Sequence, residues 1–423
     1  MGRGGGPAVR RPAARFVRIV ALGAPALVRL AVIGARHRGG ARADRSAAEV
    51  ARLLERLGGT FVKAGQLLGT RTDLVGTRLA AALGRLHDDI EPAPAAAVLA
   101  EARAGLGALP GPLAEALARP PVAGGSIAAV YRAELDGRVL AVKVRRPGVR
   151  EAVAGDLAIL DRLARAAVRL PALRRLPLVE MVGQLGALLL AQVDFEAEAA
   201  NLRQLRDALD GTPGVLVPEP VAELCGGGVI TMEYVPGLDR AAAAALPAET
   251  RRAQTTALVR AVYRLLFVEG LVHIDLHHGN VYFRADGSVV LLDAGLVFRM
   301  SDAARRDLTD FFAAMARGDG EGCAAILLST VRGAAPDADL AGFRSRVAAL
   351  VARNAGAPAG EFRLSAFCYE LFALQRDCRL HAEPEFALPM LSLLSLEGTV
   401  QANHPGLDFQ LEAAPYAWEG LIR

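Results

Sequence analysis

The sequence predicts an α+β fold. Short runs of β-branched and apolar residues gather at 122–144, 215–234 and 281–292, punctuated by the turn pairs Asp136-Gly137 and Asp286-Gly287. The text from 46 to 118 and from 301 to 397 reads as helices. At 423 residues and 52% hydrophobic, the chain can bury two or three packed units. There is no internal repeat and no nucleic-acid motif.

Charge is uneven along the chain. Residues 1–45 hold ten Arg against one Asp, so they carry +9 of a net +4 and leave about −5 for the rest. Residues 1–15 are Gly-, Pro- and Arg-rich and are expected to be disordered. Phe16 to Ala35 is apolar but interrupted by Arg18, Pro25 and Arg29, which argues against a membrane-spanning helix. On a helix, Arg11, Arg18, Arg29 and Arg36 fall within about 20° of one another. That pattern suits a helix on an anionic membrane surface, or one packed on its own domain with solvated arginines. No small-residue cleavage site follows, against a secretory signal. Four cysteines without a C-x-x-C pair or zinc spacing point to reduced, cytosolic thiols. The expected location is cytoplasmic, peripheral to the inner face of the cell membrane if residues 16–36 meet it.

The next block, 46–120, opens with Ser46 and Glu49, the spacing of a capping box. It contains Lys63-Ala64-Gly65-Gln66 in helical text. Lys63 and Lys143 are the only lysines; every other basic side chain is Arg, a bias of coding background. Two lysines surviving that bias are either accidents of composition or positions where a compact ammonium is needed, and both fall inside motifs.

Pro120-Pro121 ends the helices. Ala123-Gly124-Gly125-Ser126 then forms a small-residue turn between strands, and Arg138 to Val144 a strand carrying Lys143. Small residues let backbone N–H groups approach a phosphate, and a lysine on the following strand can reach it. A solvated edge hairpin is the plainer alternative. A helix expected over 182–209 carries Asp194, Glu196 and Glu198. Glu198 is the chosen partner for Lys143, with Asp194 one turn earlier on the same face and Glu196 on a solvated face. Met232-Glu233-Tyr234 before Pro236-Gly237 has the form either of a plain strand end or of a hinge whose backbone would bond an adenine ring at Glu233.

The densest chemistry lies in His273-Ile274-Asp275-Leu276-His277-His278-Gly279-Asn280, followed by Leu292-Asp293-Ala294-Gly295. Asp275 can orient or deprotonate a hydroxyl. Asn280 and Asp293 are oxygen ligands suited to Mg²⁺ on a nucleotide. The turn 284–288 between two apolar runs would hold them together as a hairpin. His273, His277 and His278 beside Asp275 also raise a zinc site.

Taken together, these motifs resemble the UbiB/ABC1/ADCK family of atypical protein-kinase-like proteins, which includes bacterial AarF and UbiB. Lys63-Ala64-Gly65-Gln66 is similar to its K-x-G-Q motif, and Pro121 to Ser126 to its Ala-rich loop. Lys143, Glu198-Ala199-Ala200-Asn201, His273-x-Asp275-x-His277-x-Gly279-Asn280 and Asp293 stand at its nucleotide-binding lysine, pairing helix, catalytic loop and metal-binding aspartate.

The resemblance implies a two-lobed protein-kinase-like fold with an N-terminal helical K-x-G-Q extension. Its expected parts are a basic segment 1–45, the extension 46–120, an N-lobe 121–236 and a C-lobe 237–423. It further implies ATP or ADP with Mg²⁺ as cofactors, weak or absent phosphorylation of proteins in trans, and ATPase activity at membranes in support of isoprenoid quinone or lipid metabolism. Asp275, Lys143, Lys63 and Gln66 take catalytic roles. Ala123, Gly124, Gly125, Ser126, Glu198, Glu233, Asn280 and Asp293 would bind nucleotide and metal. Expected partners are the nucleotide, an anionic membrane surface and lipid- or quinone-pathway enzymes. Departures are Gln192 in the E-x-D motif, Gly124-Gly125 in the Ala-rich loop, Ala128-Ala129 for Gly-Gln, and Ala294 for the Phe of D-F-G. A small-molecule kinase of the aminoglycoside or choline type shares the catalytic-loop pattern but not the Lys63 motif. A nucleotide-binding pseudokinase scaffold is the other alternative.

Overall fold

The computed structural model describes residues 12–70, 72–86, 92–170, 174, 178–276, 279–356 and 361–422. The fold is α+β, as the periodicity predicts. The chain divides into two compact units: residues 1–197 with 221–234, and residues 198–220 with 235–423.

The first unit is built on a four-stranded antiparallel sheet. Its strands, in spatial order, are Ala123–Gly124, Ala128–Leu135, Arg138–Arg145 and Val229–Glu233. The Asp136-Gly137 turn has φ of +50° and +74°, the left-handed pair that a two-residue hairpin needs. Helices Ala95–Leu106 and Gly111–Leu117 supply Val98, Ala102, Leu113 and Leu117 to a core shared with Tyr131, Val142, Val144 and Val229. Arg145 ties this layer together: it pairs with Glu101 at 2.8 Å and donates to the carbonyls of Val193 and Gly227.

A helical layer belongs to the same unit. Helices Pro12–Arg36, Gly39–Leu57, Thr60–Thr70 and Val149–Ala167 meet around Ile19, Leu57, Phe61 and Ile159. Gly65 and Gly69 explain part of the K-x-G-Q spacing. A Cβ at Gly69 would lie 2.9 Å from the Gly84 backbone nitrogen, and one at Gly65 would lie 2.4 Å from Leu86 Cδ1. These glycines let helix Thr60–Thr70 press onto the chain at 83–86.

Three local expectations are corrected here. Ser46 caps nothing, because Gly39–Leu57 is one helix and Ser46 sits inside it. Glu49 is buried instead, paired with Arg29 at 2.5 Å and Arg52 at 2.8 Å. The helix expected over 182–209 is two helices, Leu178–Ala191 and Phe195–Ala208. Asp194 lies in the break, where its Oδ1 accepts the Ala197 N–H at 3.1 Å, so it caps the second helix rather than sharing a face with Glu198. Glu196 is exposed, as expected, and its Oε1 accepts the Gly227 N–H at 3.1 Å.

Helix Pro12–Arg36 runs unbroken through Pro25. By length and composition, Ala13–Arg36 could cross a membrane. Three of its arginines, however, bond to neighbouring helices. Arg15 forms a bidentate pair with Asp156 at 2.6 and 2.7 Å, Arg18 donates to the Arg56 carbonyl, and Arg29 holds Glu49. Phe16, Val17, Val20, Leu27, Val28 and Val32 on the other side are exposed. The helix therefore packs on its own unit through Arg15, Arg18 and Arg29, while Arg36 is exposed and the helix's apolar side is left outside. Residues 1–11, including Arg11, lie outside the described residues.

In the second unit, helix Ala248–Tyr263 continues into a π-helical stretch, Arg264–Glu269, ending at Gly270 with φ of +66°. Strand Leu271–His273 pairs antiparallel with Val297–Arg299. The hairpin Val281–Phe283 and Val289–Leu291 is joined by Val215–Leu216, parallel to Val289–Leu291. Helices Asp302–Ala316, Pro384–Asn403 and Phe409–Ile422 surround this framework. The stretch 301–397 is not all helix, since Val331–Ala334 pairs with Leu380–Ala382. Buried Arg305 donates to the carbonyls of Phe267 and Gly420, linking the π-helical stretch to the C-terminal helix.

Candidate active site

His273 is the hub of the second unit's site. It ends a short strand and is 1% exposed. The Asp275 N–H donates to its Nδ1 at 3.3 Å. A ring that accepts at Nδ1 is protonated at Nε2, which donates to the Asp293 carbonyl at 2.7 Å. Ser392 Oγ donates to the His273 carbonyl at 2.7 Å, and Ile274 N–H to the Leu296 carbonyl. One imidazole thus joins the loop after residue 273 to the loop after residue 292.

Asn280 starts the hairpin strand. Its Nδ2 donates to the Asp275 carbonyl at 2.9 Å and to Asp275 Oδ2 at 3.3 Å. The amide is therefore oriented with Oδ1 as the outward donor atom for a cation. Its carbonyl accepts the Leu292 N–H, which fixes Asp293 one residue beyond the strand pair. Asp293 Oδ1 accepts the Gly295 N–H at 3.0 Å. The expected turn is present: Asp286 accepts from Ser288 N and Oγ, and the hydroxyl bond in particular holds its carboxyl below the usual range. Asp275, Asn280 and Asp293 are thus on one braced framework.

An amide oxygen and a carboxylate are hard oxygen donors, the kind Mg²⁺ takes in pairs alongside phosphate oxygens and water. The residues present fit that ion. Among the described residues, no three His, Cys, Asp or Glu side chains cluster to hold a metal by themselves. His277 and His278, on which the zinc alternative also depends, lie outside the described residues.

The first unit carries the expected phosphate-binding residues. Ala123, Val130, Lys143 and Ile230 stand in one row across the sheet, so the small-residue loop and the lysine are in register. Lys143 Nζ lies 5.1 Å from the centre of the buried Phe195 ring. Within the loop, Gly125 is partly spent: its N–H donates to the Ala128 carbonyl and its carbonyl accepts from Arg146 Nε at 2.6 Å. A Cβ at Gly124 or Gly125 would meet nothing within 4 Å, so neither position requires glycine sterically. Ser126 sits beside them at the tip. Glu233 ends its strand opposite Leu140, and the Tyr234 N–H behind it is taken by the Val139 carbonyl.

Gln66 is half-buried and donates from Nε2 to the Leu86 carbonyl at 3.2 Å, so part of its job is to hold its own layer. Lys63, three residues earlier, is also half-buried. Glu198 is buried on helix Phe195–Ala208, within the part that belongs to the second unit. Asn201 one turn on donates to the Ala294 carbonyl at 3.0 Å, fixing the residue after Asp293. Its motif placed it on the right helix, but its partner is 93 residues away. Ser392 and Gln254, which donates to the carbonyls of Arg284 and Ser288, had no local signal at all.

The ABC1 atypical kinase-like domain matches residues 85–327. The chain is 29% identical over 371 residues to "Probable protein kinase UbiB" of Aeromonas hydrophila, covering 86% of this chain and 68% of that protein. Among solved structures, that of Rv3197 from Mycobacterium tuberculosis, in complex with erythromycin, aligns with a TM-score of 0.55 at 22% identity, covering 84% of this chain and 94% of that one. Since the family domain spans more than half of the sequence, the chain belongs to the ABC1 atypical kinase-like family, the family of UbiB.

Proposed function

We propose that this chain binds ATP with Mg²⁺ and hydrolyses it, or transfers its terminal phosphoryl group, beside a membrane surface in support of isoprenoid quinone or lipid metabolism. The observation that carries the reading is the His273 bridge, which holds Asp275 and Asp293 on one frame with Asn280.

In this reading the second unit carries the metal-holding and catalytic residues, and the first carries the phosphate-binding loop and Lys143. Asn280 Oδ1 and the Asp293 carboxylate hold the metal, which when bound offsets charge on the phosphate oxygens. Asp275 orients a water or hydroxyl and takes its proton. Lys143 contacts phosphate oxygens and pairs with Glu198, while the backbone of Ala123 to Ser126 covers the phosphates. The strand end at Glu233 lies along the adenine. Lys63 and Gln66 belong to an extension that narrows access and excludes protein substrates. The exposed apolar side of helix Pro12–Arg36 supports the membrane part of the reading, since a wide exposed apolar stripe marks an interaction face.

The test is phosphate release by the full chain with and without phosphatidylglycerol vesicles. Turnover should require Mg²⁺, rise with vesicles, and fall by about 10²-fold in Asp275→Asn. Turnover in Asp275→Asn equal to the parent chain would overturn the assignment.

A further inference from the structure

A cavity of about 460 Å³ opens within the second unit, among helix Arg240–Ala244, the start of helix Ala248–Tyr263, strand Val281–Phe283 and helix Pro384–Asn403. Its size falls in the usual range of small-molecule sites, about 300–1,000 Å³. None of the residues given a metal or nucleotide role above lines it.

Two features specify an occupant. Val281, Phe283, Ala243 and Ala402 give it apolar walls. Arg240 and Arg251 bring two guanidinium groups, and no carboxylate lines the cavity among the described residues. Arg251 is the more telling of the two, because its Nε is buried without a hydrogen-bond partner among the described residues. Arginine has only donors, so what satisfies it must bring acceptors. A charged donor buried without one is costly, and pairing with an anion is the strongest way to relieve it. An apolar slot with a cationic end fits a molecule with an apolar body and an anionic head.

We infer that this cavity is a binding site for a small amphipathic anion, a carboxylate or phosphate on a hydrocarbon or aromatic body, with Arg251 holding the head group. The site is also wired to the catalytic loop. Arg240 Nη2 donates to the Gly279 carbonyl at 3.3 Å and to Tyr282 Oη at 2.9 Å, and its guanidinium stacks 4.9 Å from the Tyr282 ring centre. Gly279 immediately precedes Asn280. An anion that draws Arg240 toward itself loosens the bond to Gly279 and so reports occupancy to the metal-binding amide. That coupling rests on the function proposed above; binding in the cavity does not.

The experiment is calorimetric titration of the full chain, without nucleotide, with decanoate, decanol and inorganic phosphate in turn. Decanoate should bind saturably, one per chain. Decanol, lacking the charge, should bind at least about tenfold more weakly, and phosphate, lacking the apolar body, should give no saturable signal. Arg251→Gln should weaken decanoate by about tenfold or more. Ala402→Trp, at an exposed position on the rim, should block it while leaving the fold intact. The proposal fails if decanoate does not saturate, if decanol matches it, or if Ala402→Trp binds decanoate as the parent does. That last outcome would place the ligand elsewhere, for instance on the apolar side of helix Pro12–Arg36. Because no nucleotide is present, these outcomes are independent of whether the chain hydrolyses ATP.

Discussion

His273 does its work without touching solvent. Its ring is the shared partner of the Asp275 N–H and the Asp293 carbonyl, so His273→Ala orphans a buried donor and a partly buried acceptor together. Each orphan costs about 1–3 kcal/mol. We expect a stability loss of about 2–4 kcal/mol by urea denaturation and a fall in ATP turnover beyond what the unfolded fraction explains. Unchanged turnover in the folded fraction would separate His273 from the site. Asp275, Asn280 and Asp293 were legible because their spacing is local and the hairpin between them is signalled by Asp286-Gly287. Asn201 and Ser392 were not, because hydrogen bonds spanning 93 and 119 residues leave no periodic trace.

At the scale of elements, helix Pro12–Arg36 shows how far periodicity carries. The 100° step places its arginines on one side, but it does not say which side faces inward. The deciding partners are Asp156 and Glu49, both buried acids on other helices. Removing one member of such a pair leaves the other charge stranded, so Arg15→Ala should cost about 3 kcal/mol. Val17→Gln, on the exposed side, should stay within about 0.5 kcal/mol of the parent. Chemical denaturation of the two variants checks both values; equal effects would show that the arginine side does not anchor the helix. The break at 192–194 was illegible for a different reason. Gln192-Val193-Asp194 holds no Gly or Pro, and only the capping bond from Ala197 to Asp194 reveals the new start. The capping box at Ser46 failed in reverse, because a locally plausible start was overridden by a longer helix whose Glu49 is needed for buried pairing.

For the whole molecule, each unit carries a separately built frame, and the central proposal is that Mg-ATP binding needs residues of both. Lys143 stands in register with the small-residue loop on one, and Asp275, Asn280 and Asp293 share a brace on the other. The α+β class and most elements were readable from pattern and turn chemistry. The division of the chain was less so, because residues 198–220 join the second unit and 221–234 return to the first. No breaker marks the crossing at 197/198, whereas Pro218 and Pro220 precede the second and Pro236-Gly237 follows the third. The most direct test is thermal unfolding of the full chain with and without Mg-ATP, for the parent, Asp293→Asn and Lys143→Met. Asn at 293 keeps an Oδ1 for the Gly295 N–H, so the charge is removed while the loop stays bonded. The account predicts that Mg-ATP raises the parent's melting temperature by several degrees and neither variant's, with the ligand-free values within about 2 °C of one another. Full stabilisation of both variants by Mg-ATP would contradict it.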